Sequence, residues 1–256
     1  MIRYILAFIF ATGLFANVIK SPLLSVEHSS DTATIKIDNI NIGMSGFISH
    51  QLSDENSVIL KEIEVIAYNK QTKIATLKMN PFNVLRHNSL PSGKWQVEAG
   101  DTAILAFAYS RALLIAPNEE VYYRVTKATS SLQWLHPDIF ATILSFNSHP
   151  TPLKEDFIAM RNTTSVGLVF FFLDKKLYTV DIKTFKVLNI SDAPVKQEST
   201  KLPFYSRIDK IGTAWYEFGK GTGKINSYED YYFNLLIENN PKNQKLQNLY
   251  NKYKNK

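Results

Sequence analysis

The chain has 256 residues, with 29 Lys+Arg against 23 Asp+Glu and no cysteine. That length suits one or two domains, and 45% apolar residues can bury a core by packing alone. Without cysteine there is no disulfide, thiolate metal site, iron–sulfur cluster or cysteine nucleophile, and 10 Gly with 10 Pro exclude a collagen-like or low-complexity chain.

The first segment reads as an address. Arg3 precedes an uncharged run of 16 residues, Tyr4 to Ile19, with the small Ala16 inside it. A cation, a short apolar run and a small residue predict a secretory signal peptide over 1–16. The run is shorter than the ~18–20 residues that cross a bilayer. Export of the mature chain to the cell surface, the outer membrane or the periplasm follows. No transmembrane helix is expected after cleavage, because the most apolar later stretch, Val166–Leu173, is too short.

From Leu23 to Phe107 the sequence alternates apolar and polar side chains at period two. Thr32–Ile37, Glu62–Tyr68, Lys73–Met79 and Thr102–Phe107 are strand signals, and Asn69-Lys70-Gln71 predicts a hairpin turn. Gly43 and Gly46 are expected to bracket a bend, and Asn80–Ala99, broken by Pro81, Pro91 and Gly93, reads as a long loop. Short strands at this density predict a small antiparallel barrel or sandwich.

The pattern changes at Ser110. Ala112–Ala116 is a continuous apolar run, as for a strand buried on both faces. Asn118 is placed to cap a helix that opens with Glu119 and Glu120, charges suited to the positive end of the helix dipole. Leu132–Leu135 predicts a second strand. Pro137 and Pro152 mark two further helix starts, the latter with Thr151 as cap. Val166–Leu173, Leu177–Asp181 and Phe185–Ile190 predict three successive strands. The expected fold class is mixed α+β: a β-barrel-like domain over 17–109, an α/β layered domain with a mixed sheet over 110–194, and a short helical basic region over 195–256. In that last region Ile211–Phe218 reads as a strand and Ser227 as a helix cap. Leu246, Leu249, Tyr250 and Tyr253 form one face of a final helix.

Catalytic signatures are not found. The five histidines show no metal-ligand spacing, and His136-Pro137-Asp138 and His149-Pro150 read as capping or turn residues rather than acid/base groups. There is no G-x-S-x-G. Gly219–Lys224 lacks the spacing of a phosphate loop and reads as a basic turn. Glu62/Glu64, Glu119/Glu120 and Glu155/Asp156 read as a solvated strand face and two helix N-terminal pairs. A binding protein without cofactor or metal is expected, rather than an enzyme.

The charge is localised. Residues 195–256 hold 11 Lys+Arg against 6 Asp+Glu, and the last 15 residues hold five lysines and no acid. A cationic end argues for a local acidic partner and against nucleic acid or any whole-surface polyanion. A terminal lysine joins an ammonium and a carboxylate by an apolar stem. A receptor of the kringle type can clamp both ends around an aromatic trough. Lys256 is the expected ligand residue, with Lys254 and Lys252 as helpers.

Ser21-Pro22-Leu23-Leu24, Gly43-Met44-Ser45-Gly46, Arg111–Asn118, Trp134–Asp138, His149–Phe157 and Ser165–Leu168 together resemble the N-terminal domain of the bacterial surface plasminogen-binding proteins of the PgbA type. The likeness spans roughly residues 19–190. It implies an exported surface or envelope protein with affinity for host plasminogen, and it implies no catalytic residues. The competing expectation is a structural module of the periplasm or flagellar motor with cell-envelope partners, in which plasminogen binding is incidental.

Overall fold

The structure, a computed structural model, describes residues 18–82, 95–208, 211 and 225–256. The expected leader over 1–16, most of the expected strand over 211–218, the expected Gly219–Lys224 turn and the middle of the expected 80–99 loop lie outside the described residues. Two compact units divide at Ser110.

The first unit is a closed barrel. Its strands are β1 (Ile19–Glu27), β2 (Thr32–Lys36), β3 (Ser45–Gln51), β4 (Ser57–Asn69), β5 (Ile74–Pro81) and β6 (Thr102–Leu105). Every pairing is antiparallel, in the circular order β1-β2-β5-β4-β3-β6. The period-two pattern explains the wall: Ala33 and Ile35 are buried, while Thr32, Thr34 and Lys36 between them are not. The hairpin turn at Asn69 is held by its own side chain, whose Oδ1 accepts the backbone N–H of Gln71 at 2.9 Å and of Thr72 at 3.2 Å.

Gly43 and Gly46 play different parts from the expected bend. Gly43, at φ 90°, makes the turn. Gly46 lies inside β3, where a Cβ would sit 2.2 Å from the Ile104 carbonyl oxygen on β6. It is glycine because two strands approach closely there. Register slips between Leu23 and Ser25 and between Val65 and Ala67 leave Leu24 and Ile66 as bulge residues, 50% and 43% exposed. A bulge restores the inward alternation at the cost of turning one apolar side chain outward.

The second unit is layered α/β. Its strands are β7 (Arg111–Ile115), β8 (Gln133–Leu135), β9 (Leu168–Leu173), β10 (Lys176–Asp181) and β11 (Val187–Asp192). They form one mixed sheet in the order β11-β10-β9-β7-β8. β7 runs parallel to both β8 and β9, and β10 and β11 complete an antiparallel end. Helix α1 (Glu119–Ala128) connects β7 to β8. Helices α2 (Pro137–Phe146) and α3 (Lys154–Thr164) carry the chain back past β7 to β9.

The two faces of the sheet serve different partners. Leu113, Ile115, Leu135, Val169 and Phe171 face the main core with Phe140, Phe157 and Met160 of α2 and α3. On the other face, Trp134 donates its indole N–H to the Thr129 carbonyl at the end of α1 (3.1 Å) and meets Phe170 edge-on. β7 is therefore apolar from Ala112 to Ile115 because both of its faces are covered.

Helix α3 begins later than Thr151 and Pro152 suggest, at Lys154 with Leu153 in the cap position. The buried Asp156 sets this start. Its Oδ2 accepts the Leu153 N–H at 2.8 Å, and its Oδ1 lies 2.8 Å from His149 Nδ1.

Residues 195–256, set apart by their composition, contribute to the same core. Phe204 is fully buried. So are Tyr232, Phe233 and Leu236 of helix α4 (Tyr228–Asn239) and Leu246 of helix α5 (Gln244–Lys254). Tyr228 donates its hydroxyl to the Ile115 carbonyl at 2.9 Å, and Tyr232 donates to the Pro203 carbonyl at 2.9 Å. Each fully buried aromatic contributes about 1.5–3 kcal/mol by burial. A lysine count hides this: the lysines share their segments with a dense apolar face.

Candidate functional site

The three expected ligand lysines lie at the end of α5. Asn243 caps this helix, its side chain accepting the Leu246 N–H at 3.0 Å. The face read from the sequence is the docked one: Leu246 is buried, and Tyr250 and Tyr253 stack on Phe233 of α4 with centroids 5.1 and 5.6 Å apart. The lysines interleaved with and following these positions are turned to solvent. Lys252, Lys254 and Lys256 are all exposed.

Exposure does not leave all three unengaged. Lys254 Nζ lies 2.8 Å from Asp230 Oδ1 at the start of α4 and 5.6 Å from the Tyr250 ring centroid. Tyr250 donates its hydroxyl to the same carboxylate oxygen at 3.2 Å. The hydrogen bond to Asp230 raises the Lys254 pKa, and the same bond lowers that of Asp230. Lys256 donates to Asp174, the first residue of the β9–β10 turn. The chain end is thus fastened at two points, one on α4 and one on the sheet. Sequence reasoning found the lysines but not these carboxylates, which lie 24 and 82 residues away along the chain.

A second concentration of polar groups lies where the parallel strands β7 and β8 end. Asn118 caps α1, accepting the Val121 N–H at 2.9 Å, and its amide donates to the Ser199 carbonyl at 2.8 Å. His136 caps α2, with its Nδ1 accepting the Asp138 N–H at 3.3 Å. Arg207 closes over this end: its backbone N–H and Nε donate to the two Asp138 oxygens at 2.8 and 2.7 Å. Burial disfavours the Asp138 carboxylate, but the Arg207 bonds outweigh it and hold its pKa below the usual range. Tyr205 lies beside Tyr122 and His136 and donates to Glu119 at 3.1 Å. Carboxyl ends of parallel strands are where α/β sheets commonly bind ligands. Here the chain's own 199–208 segment occupies that end.

His136 and His149 thus both organise helix starts, as read from the sequence. His50 is similar in kind: it pairs with Asp101 at 2.7 Å, and Asp101 also accepts the Glu98 N–H at 2.9 Å. Among the described residues no group of three His, Cys, Asp or Glu side chains is placed to hold a metal ion. Nor is any helix among them long and apolar enough to cross a membrane.

A small closed barrel joined in sequence to a mixed α/β layer, with a lysine-bearing helix at its carboxyl end, defines a two-unit α+β scaffold. The chain belongs to the family described as plasminogen-binding protein pgbA N-terminal, whose pattern matches residues 18–236 and so takes in most of both units. The match ends within α4, so α5 and its lysines lie past it. Two Helicobacter pylori proteins called plasminogen-binding protein PgbA are similar. That of strain J99 is 25% identical over 215 residues, 82% of this chain and 45% of its own length. That of strain 26695 is 26% identical over 204 residues, 77% of this chain and 43% of its own length. The chain thus spans less than half the length of these relatives. No solved structure matches it.

Proposed function

We propose that the chain is an exported, surface or envelope binding protein that captures host plasminogen, and that it is not an enzyme. The observation that carries this reading is the family match across 18–236, together with relatives named for plasminogen binding. The uncharged run from Tyr4 to Ile19 supports export. The capturing groups in this proposal are the ammonium groups of Lys256, Lys254 and Lys252. Lys252 and Lys254 stand on the last turn of a helix fixed by aromatic stacking, and Lys256 follows just past its end, so their backbone is held at little further entropic cost. A kringle would take such an ammonium between carboxylates, with the lysine stem along an aromatic trough.

The test is binding of the chain to immobilised plasminogen, with and without a free lysine analogue, alongside a variant carrying Lys252→Gln, Lys254→Gln and Lys256→Gln. The expected result is competition by the analogue and loss of most binding in the variant. Binding that survives the triple substitution would refute the lysine mechanism.

A second reading has one observation in its favour. Lys254 and Lys256 are paired within the fold, as lysines that merely fasten a helix would be. On that reading the chain is a structural module of the cell envelope. Protease treatment of intact cells separates the two: cleavage supports the surface protein, and protection supports the internal module.

A further inference from the structure

We infer that Asp174 is an internal competitor for Lys256, a carboxylate of the fold that occupies the ammonium a ligand would otherwise take. The inference rests on the proposed lysine capture and concerns its control.

The geometry is specific. Asp174 opens the β9–β10 turn, with Asp174 and Lys175 both in the left-handed region at φ 46° and 59°. Asp tolerates that conformation better than most residues. The turn projects the carboxylate from the sheet towards the end of α5, where the Lys256 ammonium meets it. The Asp174 side chain is only 18% exposed and so is the more enclosed acceptor, while Lys256 is 53% exposed and is the solvent-facing partner. This is the arrangement a lysine-binding receptor uses: a preorganised carboxylate receiving an ammonium. The fold supplies one copy of it in cis. Asp230 does the same for Lys254, with the Tyr250 ring beside the ammonium in place of a receptor's aromatic wall.

A ligand that needs a free ammonium binds only the fraction of molecules in which the internal pair is open, and its apparent affinity falls by that fraction. Solvent-exposed pairs are weak, so the masking is partial and reversible, and capture is tuned rather than blocked. Replacing Asp174 by Asn removes the charge and keeps a residue that suits the left-handed turn.

The experiment compares plasminogen binding by the unaltered chain, Asp174→Asn, Lys256→Gln, the double variant and Asp38→Asn. Asp38 pairs with Lys73 at 2.6 Å in the barrel unit, so its substitution makes the same change in net charge without removing a partner of Lys256. The expected result is about two- to fivefold tighter binding for Asp174→Asn. Asp38→Asn should bind as the unaltered chain does, and the double variant should show no gain over Lys256→Gln. Amine-reactive labelling read by mass spectrometry gives a second measure that needs no ligand: Lys256 should label faster in Asp174→Asn. If Lys256→Gln weakens binding while Asp174→Asn leaves affinity and labelling unchanged, the masking inference is overturned and lysine capture stands. If Lys256→Gln itself leaves binding intact, the role of Lys256 in capture falls, and the masking inference with it.

Discussion

Gly46 shows how much one residue can decide. Its position inside β3 gives any side chain a backbone oxygen as neighbour, with 2.2 Å where van der Waals contact needs well over 3 Å. The Ile104 carbonyl belongs to a strand fixed on both sides, so it cannot retreat cheaply. Gly46→Ala should therefore destabilise the barrel by about 1–3 kcal/mol through overpacking. Chemical denaturation followed by circular dichroism measures this, and an unchanged midpoint would contradict the close approach. The sequence displays the glycine but not its reason, because two glycines three apart look like a bend until the strand opposite is known. Asp156 is similar. Read locally it is a first-turn acid, and only its bonds to Leu153 and His149 show that it chooses where α3 begins.

At the scale of elements, legibility follows the range of the interaction. Asn118 could be read as the cap of α1 because cap and helix are neighbours in sequence. The apolar face of α5 could be read because its period is local. The docking of α4 onto the sheet and of α5 onto α4 could not, since it depends on Tyr228 meeting Ile115 and on Tyr250 stacking on Phe233. The Asp230–Lys254 pair that joins these helices has a pH signature. The Asp230 pKa is lowered in the fold, so its contribution is present above its ordinary value, near about 4, and is lost as pH falls through the lower folded value. The Lys254 pKa is raised, so its contribution is present below its ordinary value, near about 10.5, and is lost as pH rises through the higher folded value. Amide exchange in α5, with rates corrected for intrinsic pH dependence, should show protection that is flat at neutral pH and falls below about pH 4. An Asp230→Asn variant should lack that acid-side fall; if it keeps it, the pair is not its source.

For the whole molecule, the charge and the cores lead to a division of labour. Residues 17–194 are neutral in sum, and the surplus of lysine lies in 195–256, whose aromatic residues are built into the second unit. Each unit has its own buried interior. A fragment of residues 110–256 is therefore expected to unfold cooperatively and to bind plasminogen, and a fragment of residues 17–109 to fold without binding. Binding by the barrel fragment alone would move the site out of α5 and towards the region matched by the family. The barrel's closure also bears on how the chain is made. Ile19 pairs with Leu105, the first strand with the last. The ring cannot shut until nearly ninety residues have been delivered, and pairing so distant is slow to form. Until then β1 offers an unpaired edge, which favours wrong partners. On the proposed export route, with the amino end threaded first, that delay is a window of vulnerability.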